Sequence, residues 1–209
     1  MEITKKRRTK FYTNEEGNTL YERFNQTLKN AQYFDSLVGY FRTSGFYRLY
    51  KSLENVDKIR ILVGLNIDRQ TYNIIEESQL NFDFESQANI KKQYRKEVQK
   101  EFENSEDAEK IAIGVDKFRE MLANGKIEMR ACREKIHAKV YITRYDEEQF
   151  GLFGTVVTGS SNFTENGLNA QYEFNVELKD DPDVEEALQR FEKLWDVSVP
   201  ISQDYIEAP

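Results

Sequence analysis

The sequence contains very little cysteine and histidine. Cys132 is the one cysteine and His137 the one histidine among 209 residues. A single cysteine excludes an internal disulfide and a cysteine-rich zinc site, and a single histidine excludes any cluster that needs two or more histidines from one chain. The composition therefore predicts a reducing, cytoplasmic setting.

Long apolar segments are also lacking. No stretch approaches 18 uninterrupted apolar residues, and no apolar segment follows the basic run at residues 5–8. We therefore predict no membrane span, no signal peptide and no membrane partner. The sequence has no GxxxxGK(S/T) phosphate loop, so we do not expect ATP binding of that kind.

The sequence also lacks an excess of basic residues. The chain has 30 Lys and Arg against 37 Asp and Glu, and its net charge is −7. This balance argues against a uniformly basic surface and leaves a local one open. Residues 87–109 are rich in Lys, Arg, Glu and Gln, which predicts an exposed helix or a mobile excursion. We interpret the basic run at 91–100 as a solvated helix face rather than a nucleic-acid contact.

What the chain does have is ample material for one core. Hydrophobic residues make up 39% of the sequence, with 14 Phe and 12 Tyr. This amount of large apolar side chain predicts a folded domain of ordinary size over residues 1–209, with the Phe and Tyr of the first half in its core.

The hydrophobic pattern alternates between helical and strand spacing. A strand, a helix of about a dozen residues and a second strand form the crossover unit of a parallel sheet. We therefore predict an α/β fold with a mixed, largely parallel central sheet flanked by helices on both faces. The predicted helices cover residues 18–30, 43–54, 108–124 and 183–195, and the predicted strands cover residues 34–41, 58–64, 127–132, 136–143, 154–158 and 172–178.

Polar residues that suit phosphate chemistry are concentrated between residues 136 and 173. Period-2 alternation places His137 and Lys139 on one face of a strand, with Cα atoms about 6.6 Å apart, so both can reach one phosphate. Gly159, Ser160, Ser161 and Asn162 form a polar turn at a strand end that can surround an anion.

A carboxylate follows on the last predicted strand. Alternation there places Tyr172, Phe174, Val176 and Leu178 on one face and Glu173 on the other. We interpret Asn175 and Glu177, which share the face of Glu173, as solvated strand residues, and Ser161 as a turn residue only.

These residues carry a resemblance to a known family. His137-Ala-Lys139 followed by Gly159-Ser-Ser-Asn162 resembles the HxK and GSxN signature of the phospholipase D superfamily. The usual HxKxxxxD form is not kept, because Arg144 stands at the aspartate position and Asp146 comes two residues later.

Within that superfamily the chain resembles the metal-independent restriction endonucleases and the helicase-associated nuclease domains. That branch uses a later glutamate, and Glu173 stands where the branch would have it. The abrupt end, DYIEAP, suits an N-terminal part excised from a longer helicase-type protein.

The resemblance implies a DNA endonuclease that needs no metal and no cofactor. His137 attacks phosphorus to form a phosphohistidine, and Glu173 accepts a hydrogen bond from the other ring nitrogen. Lys139, Asn162 and Ser160 hold the phosphoryl oxygens. The leaving group needs a second acid, which a homodimer joined through the active-site face supplies from His137 of the partner subunit.

Other functions remain open at this point. RNA is as compatible with the sequence as DNA, and the motor domain of a helicase is a further expected partner, linked or separate. A non-catalytic module for nucleic-acid binding or dimerisation keeps the fold without the reaction, and the missing aspartate favours it. Phospholipid hydrolysis requires an interfacial apolar surface, and the sequence shows no amphipathic candidate for one.

Overall fold

Helices and strands alternate along the chain in the computed structural model, which describes residues 10–79 and 106–201. The strands are β1 Phe11–Tyr12, β2 Ala31–Phe41, β3 Lys58–Ile67, β4 Ile127–Ala131, β5 Lys139–Tyr145, β6 Gly154–Gly159, β7 Asn175–Leu178 and β8 Val199–Pro200. The helices are α1 Leu20–Thr27, α2 Thr43–Leu53, α3 Arg69–Gln79, α4 Glu106–Ala123, α5 Glu147–Phe150 and α6 Asp181–Asp196. Short 3₁₀ and π turns occupy Leu28–Asn30 and Asn166–Ala170.

Within residues 10–79 and 106–201, one mixed sheet of eight strands organises the fold, in the order β1-β7-β6-β5-β2-β3-β4-β8. The α/β class and the mixed sheet are confirmed. The prediction of a largely parallel sheet is wrong, since among the described strands only the β2–β3 and β3–β4 pairs are parallel and the other five pairs are antiparallel. Strands β5, β6 and β7 follow one another through connections without a long crossover helix, and such connections allow antiparallel neighbours.

The larger core lies between one face of the sheet and helices α1 to α4. Helix α1 begins at a capping box, in which the Thr19 hydroxyl accepts a hydrogen bond from the Glu22 backbone and the Glu22 carboxylate accepts one from Thr19. Phe24, Phe34 and Phe46 are among the fully buried side chains of this core. Within the described residues, the prediction that the first-half Phe and Tyr are core residues holds for these three and for Phe41 and Tyr50, whereas Phe11 and Tyr33 are 47% and 39% exposed.

Helix α6 covers the opposite face of the sheet. Val184, Phe191 and Trp195 pack there in a second core with Ile142 of β5 and Val156 of β6. Pro182 stands in the first turn of α6, as the sequence predicts. Helices on both faces of the sheet are thus confirmed.

Most of the predicted elements are present, with shifted ends. The sequence gives no clear signal for α3, α5, β1 and β8, and of these only α3 exceeds four residues. The basic runs at 5–8 and 91–100 lie outside the described residues, and so does the charged segment 87–109 apart from its last residues, which belong to α4. None of the helices in residues 10–79 and 106–201 combines the length and the apolar character needed to cross a bilayer.

Candidate active site

A pocket of about 530 Å³ opens at the end of the sheet where β2 finishes and β5 begins. All five residues predicted for the site line it, although they come from three separate segments of the chain: His137, Lys139, Ser160, Asn162 and Glu173. Tyr40, Arg42, Thr164, Gly167 and Gln171 complete the lining.

His137 lies just before β5 rather than within it, so the predicted strand begins three residues late. The segment that carries His137 passes close to two glycines of neighbouring strands. A Cβ atom on Gly64 of β3 would lie 1.9 Å from the Ile136 carbonyl oxygen, and one on Gly39 of β2 would lie 2.8 Å from the His137 ring. These glycines allow the backbone to approach and keep the exposed imidazole at the mouth of the pocket.

Lys139 is the first residue of β5 and is only 7% exposed. Its ammonium lies within hydrogen-bond distance of His137 Nε2 and 3.4 Å from the His137 carbonyl oxygen. Burial lowers the pKa of Lys139, and the negative charge of Glu173 offsets part of that effect. A charged Lys139 donates to Nε2, which places the ring proton of a neutral imidazole on Nδ1.

Asn162 has one polar atom committed to the fold. Its Oδ1 accepts a hydrogen bond from the Tyr40 backbone N–H at 3.0 Å, which joins the Gly159–Asn162 turn to the end of β2. With the oxygen engaged, the amide nitrogen is left as the donor that Asn162 offers to an anion in the pocket.

Ser160 and Glu173 contact each other. The Ser160 hydroxyl donates a hydrogen bond to Glu173 Oε2 and accepts one from the Phe174 backbone N–H at 2.9 Å. Glu173 is 9% exposed, and within the described residues it forms no hydrogen bond with His137. The expected Glu173–His137 contact is therefore not made in this conformation, although both side chains line the same pocket.

The interpretation of Asn175 and Glu177 as solvated residues is wrong. Asn175 is 1% exposed: it accepts from the Ser161 backbone N–H at 3.2 Å and donates to the Ser161 hydroxyl at 2.9 Å. Glu177 is 2% exposed and pairs with Arg23 at 2.8 Å. Alternation placed these residues on the correct face, but that face packs against α1 and the Gly159–Asn162 turn and is not open to water.

Arg144 and Asp146 both lie away from the pocket. Arg144 donates to the buried carboxylate of Asp35 at 2.9 Å, and Arg60 binds the other oxygen of the same carboxylate at 2.6 Å. Asp146 accepts from the Gln149 backbone N–H and caps the short helix α5. The position of the usual aspartate is thus occupied by part of a buried ion-pair network.

Sequence reasoning missed Tyr40 and Arg42 in the pocket wall. Tyr40 is near the end of β2, and Arg42 directly follows the strand. They were missed because the neighbouring apolar residues around Gly39 belong to the core. A polar or aromatic residue at the carboxyl end of a buried strand was the signal that could have identified them.

Among the described residues, no three His, Cys, Asp or Glu side chains are grouped in a way that could hold a metal ion.

Several solved structures resemble the chain at low sequence identity. Nuc, a phospholipase D family member from Salmonella typhimurium, is 17% identical over 92% of this chain and 97% of its own, with a TM-score of 0.48. NucT from Helicobacter pylori is 12% identical over 87% and 91%, with a TM-score of 0.48. Phosphatidylserine synthase from Haemophilus influenzae is 13% identical over 91% and 38%, with a TM-score of 0.49.

No curated protein matches the chain in sequence. A family model does match it, over residues 24–195, and that family is described as "Cardiolipin synthase, PLD-like domain". The match spans well over half of the chain and contains every residue predicted for the site. The protein therefore belongs to the phospholipase D-like domain family.

Proposed function

We propose that the protein is a metal-independent phosphodiesterase that cleaves DNA internally through a phosphohistidine, at a site shared by two copies of the chain. The observation that carries the proposal is the meeting of His137, Lys139, Ser160, Asn162 and Glu173 around one open pocket. Membership of the phospholipase D-like family supports phosphodiester chemistry in general. We further propose that the substrate is DNA and that the intermediate is a phosphohistidine.

The reaction takes place in two displacements at phosphorus. The Nε2 lone pair of His137 forms a bond to phosphorus while the bond to the leaving oxygen breaks, and that oxygen takes a proton from the imidazolium of His137 of the partner subunit. A water molecule then attacks phosphorus, the P–N bond breaks, and the proton of the water returns to His137 of the partner subunit. At the end of the second displacement both histidines have regained their starting protonation states, and neither displacement requires a metal.

The contact between Lys139 and His137 suits the first displacement. A phosphate placed between them accepts a hydrogen bond from the ammonium through a non-bridging oxygen and presents phosphorus to Nε2. The amide nitrogen of Asn162 and the hydroxyl of Ser160 are the further donors for those oxygens. Once the Ser160 hydroxyl turns to the phosphate, the Glu173 carboxylate is released to accept the Nδ1 proton of His137.

The second copy is required because the sequence holds a single histidine. One imidazole cannot be nucleophile and leaving-group acid in the same step. Two copies related by a two-fold axis through the pocket supply both groups, and a two-fold contact uses the same surface on each. The expected link to a restriction system or a helicase stays a prediction, and no feature of the described residues bears on it.

Cleavage in excess EDTA is the test of this function. Wild-type protein should cut DNA at the same rate with EDTA and with added Mg²⁺, and His137→Ala should be inactive while its circular dichroism is unchanged. Activity lost in EDTA and restored by Mg²⁺ would move the reaction to a metal-assisted class. DNA binding without any cleavage by the wild type would favour the non-catalytic module instead.

Phospholipid hydrolysis is a second candidate because of one unexpected surface feature. Phe11, Tyr172 and Phe174 are 47%, 66% and 55% exposed, and the rings of Phe11 and Phe174 lie 5.2 Å apart. Phe174 directly follows Glu173 of the pocket, so exposed aromatic side chains lie beside the candidate site, where a lipid surface could contact them. Release of a headgroup from anionic phospholipid vesicles, at a rate above that on DNA, would establish this candidate.

A further inference from the structure

Two departures from ordinary backbone geometry meet at the wall of the pocket. Asn14 has a φ of 59°, and among the described residues it is the one non-glycine residue in the left-handed region. The second departure is the π turn Asn166–Ala170, whose residue Gly167 lines the pocket. Both conformations are uncommon in proteins, and both recur at functional sites.

The Asn14 side chain joins these two features. Its Nδ2 donates to the Gly167 carbonyl oxygen at 2.8 Å and to the Gln171 carbonyl oxygen at 3.0 Å, 153 and 157 positions further along the chain. Its Oδ1 accepts a hydrogen bond from the Leu20 backbone N–H at 3.0 Å, where α1 begins. One side chain thus connects the start of α1 with two residues of the pocket wall.

The backbone conformation of Asn14 does not by itself require an asparagine. Asn14 directly precedes the Glu15–Asn18 bridge, and a glycine adopts a left-handed φ at such a place with less strain. A glycine lacks the amide group that forms all three side-chain hydrogen bonds. The distinctive contribution of Asn14 is therefore the connection between α1 and the pocket wall.

Gln171 is the residue of this wall whose side chain suits a neutral ligand group. It is exposed, it lines the pocket, and its backbone is fixed by hydrogen bonds to Asn166 and Asn14. Within the part of the chain that the structure describes, its carboxamide forms no hydrogen bond. A carboxamide offers both donors and an acceptor without a charge.

The pocket is larger than the reacting phosphate requires. Its volume of about 530 Å³ lies within the range of pockets that enclose whole ligands. His137 and Lys139 contact each other at the place of the reacting phosphate, and Gln171 adds a neutral group to the same pocket. Nucleobase edges present neutral donors and acceptors, and carboxamide side chains pair with them.

We propose that Gln171 forms a hydrogen bond with a nucleobase next to the reacting phosphate, and that Asn14 positions Gln171 for this contact. The inference rests on the proposed function and specifies its substrate as a strand whose bases are contacted. Gln171 is then a specificity residue and Asn14 a positioning residue. Neither takes part in the bond changes at phosphorus.

Two strands that differ in their bases alone test the contact. Pentathymidylate carries bases, and a pentamer of abasic tetrahydrofuran nucleotides carries the same phosphates without them. Gln171→Ala should raise KM for pentathymidylate about fivefold, the effect of one hydrogen bond, and should change KM for the abasic strand less than about twofold. Equal increases on both strands would place Gln171 on the sugar–phosphate backbone and overturn the inference, and so would two unchanged KM values.

Asn14→Asp separates the two ends of the Asn14 side chain. Its carboxylate still accepts from the Leu20 N–H, but it faces the carbonyl oxygens of Gly167 and Gln171 without a proton to donate. KM for pentathymidylate should rise about fivefold. Turnover at saturation should be unchanged, because the Glu173 backbone is held separately by the Thr13 carbonyl oxygen.

The double variant, Asn14→Asp with Gln171→Ala, tests whether Asn14 acts through Gln171. Its KM should exceed the wild-type value about fivefold, as in each single variant, because all three lose the same contact with the base. Two residues that act independently would multiply to about 25-fold, and that result would overturn the positioning role.

Thr19→Ala is the matched control at the same end of α1. It removes the hydrogen bond that the Thr19 hydroxyl accepts from the Glu22 N–H, and Thr19 does not line the pocket. The variant should lower Tm by about 3 °C and leave both KM values unchanged. A fivefold rise of KM for pentathymidylate in this variant would make the effect one of stability and contradict the inference.

Asn14→Gly is the second variant if Asn14→Asp does not fold. It keeps the left-handed backbone and removes the same donor, so it should also raise KM for pentathymidylate about fivefold. An unchanged KM in a folded Asn14→Gly protein would contradict the positioning role.

Binding of the two labelled strands by fluorescence anisotropy separates this inference from the proposed function. A protein that cleaves neither strand, but whose Kd for pentathymidylate alone rises in Gln171→Ala and Asn14→Asp, would refute the phosphodiesterase and support the base contact. A protein that cleaves both strands with constants independent of Gln171 and Asn14 would refute the base contact and support the phosphodiesterase.

Discussion

The Ser160 hydroxyl donates a hydrogen bond to the Glu173 carboxylate inside the pocket that also contains His137. This contact joins the Gly159–Asn162 turn to Glu173, two residues before β7. The Phe174 backbone N–H donates a second hydrogen bond to the same Ser160 hydroxyl. Glu173 is thereby oriented before any substrate is present. If a phosphate accepts the hydrogen bond of the Ser160 hydroxyl, Glu173 loses that hydrogen bond at the same time.

Glu173→Gln should cut the cleavage rate by about 100-fold or more and leave the fold intact. The neutral amide lacks the negative charge that stabilises a positively charged His137 ring, which raises the barrier by several kcal/mol. Single-turnover cleavage rates measure the effect. Asp146→Asn is the matched control, because Asn caps a helix as well as Asp does and Asp146 lies outside the pocket. The assignment fails if the Asp146 variant is the inactive one.

Lys139→Met should abolish cleavage and raise the free energy of unfolding by about 1 kcal/mol at neutral pH, since it replaces a buried cation at a functional site. Thermal and denaturant unfolding measure the stability. A Met variant less stable than the wild type would show that the ammonium is well compensated in the fold.

The pH dependence follows from the lowered pKa of Lys139. The unfolded chain binds this proton up to the ordinary lysine range and the folded chain releases it earlier, so wild-type stability should rise with pH between the two pKa values. Cleavage requires the charged form and should be lost as pH rises through the folded pKa, below the usual lysine range. Lys139→Arg should move that loss to higher pH. If the cleavage rate of the wild type and of Lys139→Arg falls at the same alkaline pH, Lys139 is not the titrating group.

Asn175→Ala should destabilise the protein by about 2 kcal/mol and also slow cleavage. The substitution leaves the buried Ser161 backbone N–H and hydroxyl without their partner, and these groups shape the turn that carries Ser160 and Asn162. Urea unfolding measures the loss of stability, and initial rates measure the loss of cleavage activity. Asn55→Ala, at an exposed site on the α2–β3 connection, should change neither.

Local pattern was sufficient to predict most of the longer elements, although not α3, and to pick out residues that line one pocket. Helix α2 has clear period-3.6 spacing and buries the matching face, whereas β2 was recognised from its apolar run, and residues 34–39 of β2 and 61–64 of β3 are buried without interruption. Residues 137, 139, 160 and 162 were predicted without tertiary information, from the order and spacing of two short motifs that resemble a family signature.

Long-range partners decided what local pattern could not. Glu177 looks solvated along β7, yet it is buried because Arg23, 154 positions earlier, reaches it. Asn175 likewise depends on the carbonyl of Tyr12 in a two-residue strand. The direction of β5, β6 and β7 depends on the lengths of their connections, and β-branched runs look the same in parallel and antiparallel pairs.

Mixing wild-type and His137→Ala subunits tests whether two copies share the site. If every active unit needs His137 from both subunits, activity falls with the square of the wild-type fraction, so an equal, randomly assorted mixture retains about one quarter of the activity. Independent sites in each subunit would retain about one half. Sedimentation at micromolar concentration should show a dimer in both preparations, and an active monomer would contradict the shared site.

Trapping of the covalent intermediate tests the central claim most directly. A ³²P-labelled DNA substrate, mixed with excess protein in EDTA and quenched within the first turnover, should leave label on the protein that is stable in alkali and released in acid, as expected for a P–N bond. Because the chain has one histidine, peptide mapping should place the label on His137 alone. Rapid cleavage with no label on the protein, or label on a serine, would contradict the account.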